Sequence, residues 1–228
     1  MFSASIRVDM AGFETPNAAR GKLARIAAAF NARNARGRGL PPIILMTDDR
    51  RGVDWPEAVR ALPPGCAVVV RHRDGGRREA LARRLRPLCA ARRVKLLIAD
   101  DDALALRVRA DGVHLPQRRA SKVAALKALH PHWLVTAAAH DECSAAAAAR
   151  MGADAILIAP VFATASHPGG GTLGVVRLAA IAGKARPAGY ALGGIDAGTV
   201  RRLTATQLSG IALISGWTET QKLNVVSR

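Results

Sequence analysis

The chain has 228 residues, half of them hydrophobic, and 34 lysines and arginines against 17 aspartates and glutamates give it a formal charge of +17. That length suits one barrel-sized domain or two small ones, with apolar residues enough for a substantial core. No apolar run nears the roughly 20 residues that span a bilayer, and three cysteines without CxxC spacing suggest neither a disulfide frame nor a zinc site.

Residues 1–40 stand apart from the rest of the chain. Asp9 and Glu14 interrupt any apolar signal core, so a cytoplasmic protein with no membrane partner is expected. Thr15 as N-cap and Pro16 at the first helical position predict a helix to about Ala32, and Asn34 to Gly39 reads as a basic linker. From residue 41 to 228 the chain alternates. Short apolar runs at 43–47, 67–71, 94–99, 112–115, 133–138, 155–161, 188–192 and 210–214 are separated by helical patterns at 54–62, 76–92, 101–109, 118–130, 141–151, 173–184 and 196–206. Continuous apolar strands between amphipathic helices mean a parallel sheet covered by helices. Eight such strands predict an α/β fold, a single (β/α)8 TIM barrel with an extra N-terminal helix. A doubly wound open sheet would put its glycine-rich anion turn after the first strand, whereas here 46–50 contain no glycine.

The densest basic cluster, Arg77 to Arg93, shares a helical pattern with an apolar face of Ala80, Leu81, Leu85 and Leu88, so its arginines form a solvated face. Four Phe, three Trp and one Tyr offer few rings to stack on bases, and no specific nucleic-acid partner is expected. The anion-binding signal lies elsewhere. Ala191-Leu-Gly-Gly-Ile195 precedes Asp196, a plausible helix N-cap, and Ile211-Ala-Leu-Ile-Ser215-Gly216 ends the next strand. Glycines at a strand exit expose backbone N–H groups, and the turns after strands seven and eight are where such a barrel holds phosphate. The plainer reading is two turns that need glycine.

The other strand ends supply the remaining candidates. Arg71 and Arg73, both expected to face the barrel mouth, suit an anion. Asp48 and Asp49 would cap the next helix, His114 would pack in the core, and Cys66 and Cys143 would be inert. The loop Pro160 to Gly171, with Thr164, Ser166 and His167 beside a glycine run, reads either as an anion-binding lid or as a flexible surface loop.

Asp111-Gly-Val-His-Leu115, Gly152-Ala-Asp-Ala155 with Pro160-Val-Phe-Ala-Thr164, the 191–195 turn and Gly210-Ile-Ala-Leu-Ile-Ser215 together resemble the superfamily of thiamin phosphate synthase and the thiazole tautomerase TenI, over about residues 43–216. The resemblance implies thiazole phosphate on Gly193, Gly194, Ser215 and Gly216. For a synthase it also implies an aminopyrimidine methyl pyrophosphate, joined to the thiazole with release of pyrophosphate, and Mg²⁺. Several positions depart from the family pattern. Gln-x-Arg-x-Lys reads Val69-Val-Arg71-His-Arg73, Asn-Asp reads Ala99-Asp100, Arg119 stands where a second metal-binding Asp is expected, and Thr-x-Thr-Lys reads Thr164-Ala-Ser166-His167. Asp100 is then the lone metal candidate and a poor site for a hard cation, unless a local shift lets 100–102 recruit one. For a tautomerase the resemblance implies an acid–base histidine at the end of strand five, where His140 falls; the plainer role for His140 is a helix-start residue bonded to backbone. Three readings stand: a synthase in which Arg73, Arg119 and His167 replace lost groups, a tautomerase-like enzyme using His140, and a non-catalytic sensor of a phosphorylated ligand. Each is compatible with a homo-oligomer.

Overall fold

The computed structural model describes residues 15–35, 37–164, 171–185 and 188–218. Eight strands, β1 (Ile43–Met46), β2 (Ala67–Val70), β3 (Lys95–Ala99), β4 (Gly112–Leu115), β5 (Leu134–Ala139), β6 (Ala155–Ile158), β7 (Gly189–Leu192) and β8 (Gly210–Leu213), run parallel. Each pairs with the next and β8 pairs with β1, which closes the barrel. Outside it lie α1 (Pro16–Asn34), α2 (Trp55–Arg60), α3 (Gly75–Arg92), α4 (Asp102–Arg107), α5 (Val123–Leu129), α6 (Glu142–Arg150) and α7 (Gly174–Lys184). The predicted (β/α)8 architecture is the observed one.

The strands read as unbroken apolar runs because both of their faces are buried. Ile44, Met46, Val69, Leu97, Leu157 and Tyr190 point inward and fill the barrel. Their neighbours Ile43, Leu45, Val68, Val70, Leu96 and Ile98 point outward and pack with helix residues such as Leu23, Ala58 and Leu85. Two concentric apolar layers result, and every inward residue at a strand's C-terminal end contributes to one mouth.

Helix α1 begins as expected. The Thr15 hydroxyl accepts from the Ala18 amide at 3.3 Å, and the helix runs two residues beyond the expected end. Its stripe Leu23, Ala27 and Phe30 is buried, and its polar side chains fasten it to the far end of the chain. Asn31 Nδ2 donates to the carbonyls of Leu40 (3.0 Å) and Ser209 (3.2 Å), and Asn34 Nδ2 donates to that of Leu208 (2.7 Å).

Four expectations are corrected. No α-helix follows β7 at 196–206, where a 3-10 turn spans Val200–Leu203. Asp196 Oδ1 accepts from the Gly198 and Thr199 amides, both at 2.8 Å, and Thr199 Oγ1 donates to the Gly194 carbonyl; these local bonds compete with helix formation. Strand β6 stops at Ile158, because Pro160 has no N–H to continue a ladder. Asp54, not Asp48 or Asp49, caps α2, accepting from the Glu57 amide at 3.1 Å. The buried stripe of α3 is Ala82, Leu85 and Cys89 with Ala80 exposed, so the helix is turned slightly from the expected face. Among the described residues no helix is long and apolar enough to cross a membrane.

Candidate functional site

The C-terminal ends of the strands enclose a cavity of about 550 Å³. Met46, Ala99, Ala138, Leu157, Leu192 and Ile214 make it largely apolar, and Arg71, Asp100, His114, Arg118, His140 and Thr164 supply polarity. Beyond it, a second cavity of about 540 Å³ lies against Phe162, Thr172, Gly194, Arg202, Ser215 and Gly216. Thr164 borders both, and a recess of about 20 Å³ between Gly193 and Gly216 also shares walls with both.

The two glycine turns are required by packing. Gly194 has φ +63°, and a Cβ there would lie 2.4 Å from the Ala163 carbonyl oxygen and 2.7 Å from Phe162 Cβ. A Cβ on Gly216 would lie 2.0 Å from the Ile195 carbonyl oxygen. The backbones after β6, β7 and β8 are therefore stacked in direct contact. Among the described residues, the amides of Gly194, Ser215 and Gly216 reach no protein acceptor. The plain reading, turns that need glycine, accounts for the packing, and the unmatched N–H groups at the cavity wall are donors open to an acceptor. Arg202, whose guanidinium stacks over the Phe162 ring at 4.7 Å, adds positive charge to the same wall. The sequence gives no sign of it, since the spacing at 196–206 predicts an ordinary helix with Arg202 on its solvated side. Ser166 and His167 lie outside the described residues.

His140 follows β5 and lines the first cavity, with Nδ1 2.7 Å from the Ala159 carbonyl oxygen. A carbonyl only accepts, so Nδ1 carries the hydrogen and the neutral ring keeps its lone pair on Nε2. The expected bond to backbone is present, and it fixes a tautomer able to take up a proton. His114 is buried with Nδ1 2.9 Å from the Thr136 hydroxyl. Burial, helped by the charge of Arg71 and opposed by that of Asp100, pushes its pKa down to about 4, so its imidazole is neutral near pH 7. It is the core residue expected, and it also lines the cavity.

The two arginines after β2 part company. Arg71 enters the cavity wall, held by Asp48 Oδ2 at 3.3 Å and the Thr47 carbonyl at 3.4 Å. Arg73 is exposed outside that wall, where its amide donates to Asp49 Oδ2 at 2.9 Å. Asp48 is buried yet stays ionised below the usual carboxylate range: burial pushes its pKa up, but hydrogen bonds from the Arg50 amide and side chain and the charge of Arg71 outweigh it. It positions Arg71, a role its sequence neighbours did not reveal.

Asp100 leaves β3 in the left-handed region at φ +58°, its amide donating to the His114 carbonyl at 2.9 Å. Its Oδ1 accepts from Arg119 Nη1 at 2.5 Å and its Oδ2 pairs with Arg118 Nη2. Arg119 Nη2 reaches Asp102 Oδ1 at 3.1 Å, while Asp101 caps α4 by accepting from the Leu104 amide. The one metal candidate of the sequence thus sits in a guanidinium bridge.

The family model described as thiamine monophosphate synthase matches residues 43–217. A protein of Aquifex aeolicus named "Putative thiamine-phosphate synthase 2" is 34% identical over 185 residues, covering 79% of this chain and 99% of the relative. A thiamine-phosphate synthase of Xanthomonas campestris is 36% identical over 146 residues, 63% of this chain and 69% of the relative. The structure of a thiamine phosphate pyrophosphorylase from Pyrococcus furiosus superposes with a TM-score of 0.67 at 26% identity, covering 81% of this chain and 88% of that one. With the barrel, the glycine turns and these matches together, the chain belongs to the thiamine monophosphate synthase/TenI family.

Proposed function

We propose that this chain binds a phosphorylated thiazole and an aminopyrimidine methyl diphosphate in its mouth and joins them, as a thiamin phosphate synthase does. The observation that carries this reading is an apolar cavity with arginines in its wall and a recess of unmatched backbone amides adjoining it. Unmatched amides of Gly194, Ser215 and Gly216 line the adjoining recess, and Arg71 and Arg118 line the cavity itself. The thiazole phosphate would sit on the amides and the diphosphate beside the arginines. In the transfer the thiazole nitrogen attacks the pyrimidine methylene carbon. A C–N bond forms, the C–O bond to diphosphate breaks, and diphosphate departs with the electron pair. Fixed cations at the leaving group stabilise that developing charge.

The family employs Mg²⁺, and the residues at this position do not fit it. A small hard cation demands oxygen ligands in near-octahedral array, and the carboxylates of Asp100 and Asp102 are joined through one guanidinium. No step here is routed through a metal.

A second reading, isomerisation of a phosphorylated thiazole, is favoured by the fixed tautomer of His140, whose Nε2 can accept and return a proton. One assay separates the two. Both synthase substrates are supplied and diphosphate release is followed. Release matched by thiamin phosphate supports the transferase. No release, with thiazole phosphate still bound in the same sample, overturns it, and loss of thiazole tautomerisation in His140→Ala would then establish the isomerase.

A further inference from the structure

Divalent cations are held by gathering oxygens, and here the oxygens are already gathered. Arg119 takes Asp100 Oδ1 at 2.5 Å, the Asp100 carbonyl at 2.7 Å and Asp102 Oδ1 at 3.1 Å. Arg118 takes the remaining carboxylate oxygen of Asp100. Two adjacent strand ends supply the supporting frame. Asp100 sits at φ +58°, and Arg119 lies on the 3-10 turn Gln117–Lys122 that succeeds the neighbouring strand β4. The Arg119 side chain is 21% exposed, that of Arg118 70%. One guanidinium is therefore set into the structure, and the other, paired with Asp100 through one nitrogen, is exposed at the rim where a ligand can reach it. A guanidinium does not deprotonate in a protein, so its charge is permanent; its hydrogen bonds to Asp100 raise its pKa further.

We infer that Arg119 is the built-in cation of this half-site, and that the mouth takes up a diphosphate group without a divalent metal. Arg118, on the rim, and Arg71, in the cavity wall, make the direct contacts, while Arg119 with Asp100 and Asp102 is the positioning unit behind them. The identity of the group as diphosphate rests on the transferase reading; the independence from metal rests on the geometry of the cluster alone.

The test needs no turnover. The full chain, freed of metal with a chelator, is titrated with inorganic pyrophosphate by calorimetry and separately with Mn²⁺ while the paramagnetic signal of the free ion is followed. Pyrophosphate is expected to bind in the chelator, and Mn²⁺ alone is expected to stay free. Arg119→Ala should weaken pyrophosphate binding about tenfold or more, because it strips Asp100 and Asp102 of the cation that offsets their charge beside the bound anion. Arg119→Asp, which supplies a third carboxylate, should begin to withdraw Mn²⁺ from solution. Should Arg119→Ala fail to fold, the exposed Arg118→Ala makes the same comparison. Pyrophosphate binding that requires Mg²⁺, stoichiometric uptake of Mn²⁺ by the wild-type chain, or unchanged binding in the variants would overturn the inference. Diphosphate release that depends on Mg²⁺ would uphold the transferase and sink this proposal. Metal-free pyrophosphate binding without turnover would do the reverse.

Discussion

His114 carries a cost that depends on pH. Its folded pKa, about 4, lies below the ordinary 6.5, so the folded chain binds fewer protons than the unfolded one. The neutral ring contributes its full stability above about pH 6.5, and that contribution is lost as pH falls toward 4. The span corresponds to about 3 kcal/mol at most. Urea unfolding at about pH 7 and about pH 5 should show a steeper loss in the wild type than in His114→Gln; equal slopes would assign the effect to another group. Gly194 gives a second prediction at this scale. Gly194→Ala forces its turn away from Ala163 and Phe162, and thiazole phosphate affinity measured by calorimetry should drop about tenfold, the loss of one charge-assisted amide bond. Gly52→Ala, whose Cβ meets nothing within 4 Å, should bind as the wild type does. The glycines of this site were legible in the sequence because a missing side chain has few explanations. The Asp48–Arg71 pair and the Arg118–Asp100 pair were not, because each joins residues 23 and 18 positions apart that only the barrel brings together.

At the scale of elements, apolar runs of four to seven residues marked every strand to within a residue or so at most ends, since burial on both faces leaves little ambiguity. Helices were harder to bound. The segment 196–206 has helical spacing at Val200 and Leu203, but Asp196 and Thr199 supply side-chain acceptors and donors that satisfy the backbone first. Helix α1 offers a direct test of how far it belongs to the barrel. Gly21 lies exposed in its interior with open space where a Cβ would go. Gly21→Ala should stabilise the helix by about 0.5–1 kcal/mol. If α1 and the barrel unfold together, the whole denaturation midpoint rises. A midpoint that stays in place while helicity is lost later in a separate phase would show that α1 melts by itself.

On the scale of the whole molecule, the charge of +17 has a local use and a diffuse one. Around the mouth, arginines lock the acidic residues of adjacent strand ends in place and leave Arg118 facing outward. Elsewhere the positive residues are spread. On α3, Arg83 pairs with Glu79 and Arg86 with Asp111, which makes this helix a solvated, partly neutralised face. The barrel was readable from alternation alone, and the family from four short motifs. The setting of Arg119 was not, because replacing a carboxylate by an arginine can mean either a lost metal or a substituted one, and nothing in the sequence shows that Arg119 bridges Asp100 and Asp102.

A closed ring of strands has a seam where the first meets the last. The Asn31 amide spans that seam, gripping Leu40 just before β1 and Ser209 just before β8. Closing it brings together positions 178 residues apart, the kind of long-range encounter that a folding chain reaches slowly. The clasp on the ring therefore belongs to a helix outside the ring, and closure of the barrel leans on a segment that lines neither cavity at its mouth.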